Sequence, residues 1–409
     1  MINRPDYIKR IKPFIGLEPV KVLTGLRRSG KSVMMELIRN EISSQGIPAN
    51  NFISFNFENM NSVRTAQTLH DEILEKVSSL TGKVFMFFDE IQEVENWERC
   101  INSLRVETDC DIYITGSNAK LLSGELSTYL AGRYVDFIIY PFSFKEFLNM
   151  PSQKDENIYA AFQKYIQTGG MPFLSNILDN QESCNLYLMD IYNSVILKDV
   201  VRRNNIRDVD QLERVISYVL ANVGHSFSAT SLSKYFKSEN RAVSHDTILN
   251  YIRACSDAFL FYKVNREDLQ GKKILTINEK YYVADHGLKN AVQGSNNDID
   301  QILENIVCLE LLRRGYKVTV GRNADKEIDF VVAKNNEKIY IQVSYLLADE
   351  KTREREFGAY KNVPDNYPKY VISLDNFNFS RDGIKHMNIC DFLLKDEWNK
   401  NLRVTLSLE

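Results

Sequence analysis

Between an apolar stretch at 20–24 and a helical pattern at 32–43, the chain runs Gly25-Leu26-Arg27-Arg28-Ser29-Gly30-Lys31-Ser32. This octapeptide fits G-x-x-x-x-G-K-[ST], and few short patterns restrict a fold as tightly. Its two glycines let the backbone wrap so that successive N–H groups point inward at an anion. The loop then feeds a helix N-terminus, where the aligned peptide dipoles also favour negative charge. A strand before and a helix after are what the pattern requires, so the first expectation is a parallel α/β sheet with a phosphate-binding loop at one strand end.

The next hundred residues repeat the alternation. Stretches 51–57, 83–88, 111–115 and 134–140 read as strands, and 64–79 and 96–107 as helices. The stretch 83–88 carries the long apolar run of a strand covered on both faces, and it stops at Asp89-Glu90. A carboxylate at the end of such a strand can hold the shell of a Mg²⁺ ion, and its neighbour can polarise a water as general base. A further strand, Ile112-Tyr113-Ile114-Thr115-Gly116-Ser117-Asn118, ends in small polar groups able to touch a terminal phosphate. Ser117 or Asn118 would equally suit the N-cap of a helix carrying Leu121 and Leu122.

Together these elements predict ATP and Mg²⁺ as ligands. Gly25, Leu26, Arg27, Arg28, Ser29, Gly30, Lys31 and Ser32, with Ser117 and Asn118, would surround the nucleotide. Lys31 would reach the β- and γ-phosphates, Ser32 and Asp89 would hold the metal, and Glu90 would serve as base.

Bulk properties narrow the other possibilities. A chain of 409 residues with 44% hydrophobic and 26% charged residues suits two or three ordinary globular domains. A net charge of −3 gives no global pull towards nucleic acid or anionic membrane, so any such contact needs a local patch. No apolar run approaches the roughly 18 residues of a membrane span, and the opening residues lack the apolar stretch of a signal peptide. Six cysteines without a C-x-x-C pair read as reduced, buried thiols of a cytoplasmic protein. Five scattered histidines argue against a zinc site.

Four consecutive stretches are expected: an ATPase domain over 1–150, a helical region over 151–220, a winged-helix-like domain over 221–293, and a C-terminal α/β domain over 294–409. In the third, a helix at 232–236 and a second one opened by Ser244-His245-Asp246-Thr247 precede strands at 259–264 and 273–283. On a DNA-binding module of this kind, His245, Asn250 and Arg253 would face the major groove, while Lys234, Lys237, Arg241, Lys272 and Lys273 would meet phosphates. Acids are interspersed among them, and winged helices also pack against proteins, so DNA and a protein partner both stay open.

With these motifs placed, the chain resembles a prokaryotic AAA-type ATPase family of the additional-strand, catalytic-glutamate class, joined to a C-terminal domain of unknown function. The resemblance rests on the phosphate loop, on Asp89-Glu90-Ile91-Gln92 with Trp97, on Ile114 to Asn118, and on Leu130-Ala131-Gly132-Arg133. It extends through Tyr140-Pro141-Phe142-Ser143-Phe144-Lys145-Glu146-Phe147, Gly169-Gly170-Met171-Pro172 and Asp199-Val200-Val201-Arg202-Arg203-Asn204-Asn205-Ile206. It implies a sensor role for Ser117 or Asn118. It also makes Arg133 a candidate catalytic arginine, acting in its own site or, in a homo-oligomer, in a neighbour's, while a salt bridge within the ATPase domain would suit it equally. Arg202 and Arg203 are further candidates for such an arginine but read first as a solvated helix face, and Trp97 reads as packing.

The last section resembles the core of a PD-(D/E)xK nuclease, with Glu304 on a helix and Asp329 on a strand. The next strand reads Gln342-Val343-Ser344, without the second carboxylate and the lysine of that pattern, which implies a nuclease-like fold lacking a working two-metal site. Three readings of function follow. The first is an ATPase that drives a conformational change in a DNA- or protein-binding C-terminal half. The second is an ATP-sensing switch with little turnover, and the third is a nucleic-acid hydrolase.

Overall fold

The computed structural model describes residues 1–58, 65–119, 130, 132–154, 156–271, 273–294, 299–363 and 365–399. Leu121, Leu122, Ala131 and Lys272, named above, lie outside them. The chain divides into two compact units, one of residues 1–142, 170–218 and 229–262, the other of 143–169, 219–228 and 263–409. These units do not follow the four consecutive stretches expected from the sequence.

In the first unit five strands form one sheet: β1 (Val20–Thr24), β2 (Phe52–Asn56), β3 (Val84–Asp89), β4 (Cys110–Gly116) and β5 (Tyr134–Ile138). Their order is β2-β3-β4-β1-β5, and every pairing is parallel. Parallel neighbours need crossovers, and α2 (Lys31–Ser43), α3 (Ala66–Val77) and α4 (Trp97–Glu107) supply them between β1 and β4. β4 is the additional strand, inserted between the strand that feeds the phosphate loop and the strand that ends in the acids. All residues of β1, β3 and β4 are buried, whereas the edge strands β2 and β5 are only partly so. That contrast is why the central strands read as apolar runs and the edges as alternation. Trp97 packs in the core with Ile101, Leu104, Met86 and Phe88.

One residue breaks the apolar reading. Lys21, in the middle of β1, is fully buried against the equally buried Asp111 of β4. The ammonium also donates to the Leu17 carbonyl at 2.6 Å, and the carboxylate accepts from Gly16 N at 2.7 Å and from the Tyr113 hydroxyl at 2.8 Å. Because every group is satisfied, the pair is tolerated, but removing one member strands a buried charge. Lys21→Met is therefore expected to cost about 3–5 kcal/mol, read as a lowered midpoint in urea unfolding.

The second unit is built on a seven-stranded sheet of order β12-β11-β10-β9-β8-β6-β7. Its strands are β6 (Phe261–Asp268), β7 (Lys273–Val283), β8 (Lys317–Asn323), β9 (Lys326–Lys334), β10 (Glu337–Val343), β11 (Lys369–Ser373) and β12 (Lys385–Asn388). β8–β9 and β9–β10 pair antiparallel, while β6–β8, β10–β11 and β11–β12 pair parallel. The helix Ile299–Arg313 packs on this sheet. The strands expected to form a wing, β6 and β7, thus extend the C-terminal sheet. The helices Ala229–Ser238 and His245–Asp257 precede them, the latter capped by the Ser244 hydroxyl accepting from Thr247 N at 3.1 Å.

His286 of this unit is buried, and its Nε2–H donates to the Tyr165 carbonyl at 2.6 Å. Burial pushes its pKa down from 6.5 to about 4. Between those values the unfolded chain holds a proton that the folded one refuses. Stability is thus complete above about pH 6.5 and falls by about 3 kcal/mol as pH drops towards 4. Denaturation midpoints measured across that window should show the slope, and His286→Asn should flatten it.

Candidate functional site

β1 ends at Thr24, and the loop 25–30 turns directly into α2. Gly25 has φ +141°, and a Cβ there would lie 2.3 Å from the Ile139 carbonyl oxygen, so only glycine fits. Gly30 caps α2 at φ +95°, in the left-handed region. Behind the loop, Arg4 donates to the carbonyls of Ser29 at 3.2 Å and Tyr140 at 2.8 Å, with its guanidinium 4.4 Å from the Tyr7 ring centroid. This N-terminal brace carries no sequence pattern that would announce it.

Lys31 lies in the loop's hollow and donates to the carbonyls of Gly25 at 3.2 Å and Leu26 at 3.1 Å. Its ammonium is 3.7 Å from Glu90 Oε1. Burial pushes its pKa down, against the pull of Glu90, Asp199 and Asp89.

Asp89, at the end of β3, accepts from the Thr115 hydroxyl at 2.6 Å and from Asn56 Nδ2 at 3.4 Å. Burial pushes its carboxyl up, while hydrogen bonds from Thr115 and Ser32 pull it back. Thr115 also accepts from Glu90 N at 2.9 Å. Glu90 itself has φ +53°, a left-handed backbone that costs a residue with a Cβ about 1 kcal/mol or more and often marks functional positions. Gln92 Nε2 donates to Glu90 Oε2.

Ser117 and Asn118 are both buried beside this cluster. The Ser117 hydroxyl donates to Asp199 Oδ1 at 3.2 Å and accepts from Arg203 Nη2 at 3.3 Å. Asp199 Oδ2 accepts from Arg27 Nε at 3.0 Å. Arg203 is thus turned towards Ser117 and does not form the solvated face expected for it. The difference arises because the segment Val195–Arg202 is π-helical and carries Asp199 four residues before Arg203, where the two side chains meet at 3.3 Å.

Arg133 does not join the cluster. Val20 N donates to its carbonyl at 2.9 Å, and Val20 pairs with Tyr134, so Arg133 precedes β5 at the N-terminal end of the strands. The phosphate loop leaves β1 at the other end, about 13 Å away at 3.3 Å per residue. This corrects the expectation that Arg133 serves its own chain's site.

The residues present fit a nucleotide with its metal. The Ser29 hydroxyl is fully buried in the loop with no protein partner among the described residues, and Gln92 Oε1 likewise lacks one. Ser32 and Asp89, joined by a hydrogen bond, offer oxygen donors at the loop, the type of ligand that Mg²⁺ takes.

A family model described as an AAA domain matches residues 17–148, and one described as a domain of unknown function (DUF8612) matches 159–299. An uncharacterized protein of Haemophilus influenzae is 39% identical over 97% of this chain and 99% of its own length. The uncharacterized protein MJ1544 of Methanocaldococcus jannaschii is 30% identical over 96% of this chain and 88% of its own. The chain belongs to their family. This chain carries an AAA domain at its N-terminal side. The Walker-type ATPase PABY2304 of Pyrococcus abyssi shares the fold at a TM-score of 0.50 and 13% identity, over 72% of this chain and 96% of that one.

In the second unit, the residues of the nuclease-like pattern are held by hydrogen bonds from their surroundings. Glu304 accepts from Lys280 at 3.0 Å and from the Tyr282 hydroxyl at 2.6 Å. Asp329 accepts from Val343 N at 2.8 Å, and burial with Glu304 nearby pushes its carboxyl well above the usual range. Gln342 accepts from Asp329 N at 2.7 Å and donates to Glu356 at 2.8 Å. Among the described residues, no three acidic, histidine or cysteine side chains are grouped to hold a metal. No helix of the described residues is long and apolar enough to cross a membrane.

Proposed function

We propose that the protein hydrolyses ATP at the loop 25–32. The observation that carries this reading is the convergence of Lys31, Asp89 and Glu90 from two non-adjacent strands, with the Lys31 ammonium 3.7 Å from Glu90. The loop's backbone and Lys31 bind the β- and γ-phosphates, and Ser32 with Asp89 holds Mg²⁺. A Mg²⁺ ion held there by Ser32 and Asp89 would supply Lewis-acid stabilisation of charge on the transferring phosphoryl group. Glu90 orients water in line with the terminal phosphate and takes its proton. The Thr115 hydroxyl fixes both acids, donating to the Asp89 carboxylate and accepting from the backbone N–H of Glu90. Arg133 would act only across subunits.

A switch that binds ATP with little turnover is the second reading. The hydrogen bond from Gln92 favours it, because a base already bonded is held away from water. Calorimetric titration with ATP, followed by phosphate release in Mg²⁺, separates the two. Binding with release supports the hydrolase and binding alone the switch, while no heat from any nucleoside triphosphate rejects both. We carry no hydrolase role to Glu304 and Asp329: one oxygen of each is held by neighbouring groups, and the strand beside Asp329 offers Gln342 and Ser344 where a second carboxylate and a lysine would be needed.

DNA or a protein partner for the C-terminal half stays a proposal on the exposed side chains of His245, Asn250 and Arg253. Phosphate release with and without duplex DNA tests the first of these.

A further inference from the structure

The ATP reading leaves one buried acid unassigned. Asp199 is 1% exposed, outside the three strand-end elements, and both its oxygens are used. Arg27 of the phosphate loop bonds one of them, and Ser117 and Arg203 bond the other. Asp199 also acts on the Lys31 ammonium, together with Glu90 and Asp89. A third carboxylate in a site built for a polyanion opposes the ligand unless its charge is offset. Here two guanidinium groups offset it, and each also approaches a second acid: Arg27 reaches Glu58 at 3.2 Å and Arg203 reaches Glu93 at 4.0 Å.

Resting on the ATP reading above, we propose that Asp199 is a positioning residue that senses the terminal phosphate by competing with it for Arg27 and Arg203. The geometry gives the competition a direction. Ser117 and Arg203 lie past the end of β4, the strand between the lysine loop and the two acids, where the terminal phosphate and the attacking water belong. Phosphate oxygens are strong bidentate acceptors for guanidinium, so an arriving triphosphate exchanges carboxylate–arginine bonds for phosphate–arginine bonds. A diphosphate stops short of this group and leaves the bonds in place. Since Asp199 belongs to the segment Val195–Arg202, the exchange reports the nucleotide state to that helix.

The competition has an unusual consequence. Removing a side chain that merely holds the site together weakens binding of every nucleotide, but removing a competitor for the terminal phosphate strengthens binding of the triphosphate alone. In calorimetry on the full chain with Mg²⁺, Asp199→Asn is expected to bind the β,γ-methylene analogue of ATP about tenfold tighter than wild type, with ADP affinity changed less than about twofold. Arg203→Gln is expected to bind the analogue about tenfold more weakly. A purely structural role for Asp199 predicts weaker binding of both nucleotides in Asp199→Asn. Equal or weaker analogue binding by a folded Asp199→Asn protein, or an equal gain for ADP, overturns the proposal. Should Asp199→Asn fail to fold, unchanged analogue affinity in Arg203→Gln overturns it instead, and the expected loss supports it. A wild-type protein that binds neither nucleotide removes the ATP reading itself, a failure distinct from wild-type binding with the wrong response in the variants.

Discussion

Lys31→Ala is expected to lower ATP affinity by at least about a hundredfold, on the scale of losing one preorganised donor to a phosphoryl group. The size follows from where the ammonium sits. It is buried in the loop's hollow within reach of two loop carbonyls and one carboxylate, so water cannot substitute for it. In such a place a charge acts through a much lower effective dielectric than at the surface. The fold is expected to survive. Alanine is a better helix former than lysine at the first position of α2, and the carbonyls left behind line an open loop. The Glu90 and Asp89 carboxylates lose a neighbouring cation, so the variant should bind divalent cation without nucleotide no worse than wild type. Titration calorimetry with ATP, beside a thermal melt of the same sample, checks the prediction. Wild-type affinity in a folded Lys31→Ala protein would show that the triphosphate lies elsewhere.

Much of the first unit could be read in the sequence because its central strands are buried on both faces. Such strands leave an uninterrupted apolar signature, and the loop between β1 and α2 has few other structures available to it. The strand ends then place Lys31, Asp89 and Ser117 at one edge without further information. What was not legible is whatever depends on residues brought from far along the chain. Asp199 reaches Arg27 across 172 positions and Ser117 across 82, and the motif Asp199 to Ile206 that the resemblance includes does not tie its carboxylate to the phosphate loop. Arg203 read as solvated for the same reason. Arg133 differs again: a resemblance supplies a residue type in a motif, but the register of β5 against β1 decides which end of the sheet it occupies, and that end leaves a neighbour's site as the alternative for it.

The second unit was legible in its strands and less so in their pairing. Alternation identifies β6 and β7 as strands but cannot say which sheet they join, and here they extend the C-terminal one. The helix Glu350–Gly358 escaped because its sequence, EKTREREFG, has almost no apolar stripe. Lys21 is the complementary case. Reading 20–24 as an apolar stretch passes over its charge, and the structure supplies a buried partner from β4.

Glu90→Gln separates chemistry from binding, and its expected effect is the largest that leaves the ligand in place. The amide keeps the shape of the side chain and can still meet Gln92, so ATP affinity should stay within about threefold of wild type. The lost function is proton acceptance from the attacking water, for which a general base contributes about 10²- to 10⁴-fold in rate. Steady-state phosphate release is therefore expected to fall by that factor while calorimetric binding persists. The left-handed backbone at this position adds to the argument. A non-glycine residue is held at φ +53° by the hydrogen bond of its own N–H to Thr115, which aims the carboxylate towards Lys31. Thr115→Val removes that bond and the one to Asp89 together, so it should slow release without altering residue 90. If Glu90→Gln released phosphate at the wild-type rate, the base would have to be another acid, and Asp199 would be the next carboxylate facing Lys31. If Glu90→Gln and Thr115→Val lost turnover to the same extent, and the double variant lost no more, the two residues would act as one unit, as their hydrogen bond implies.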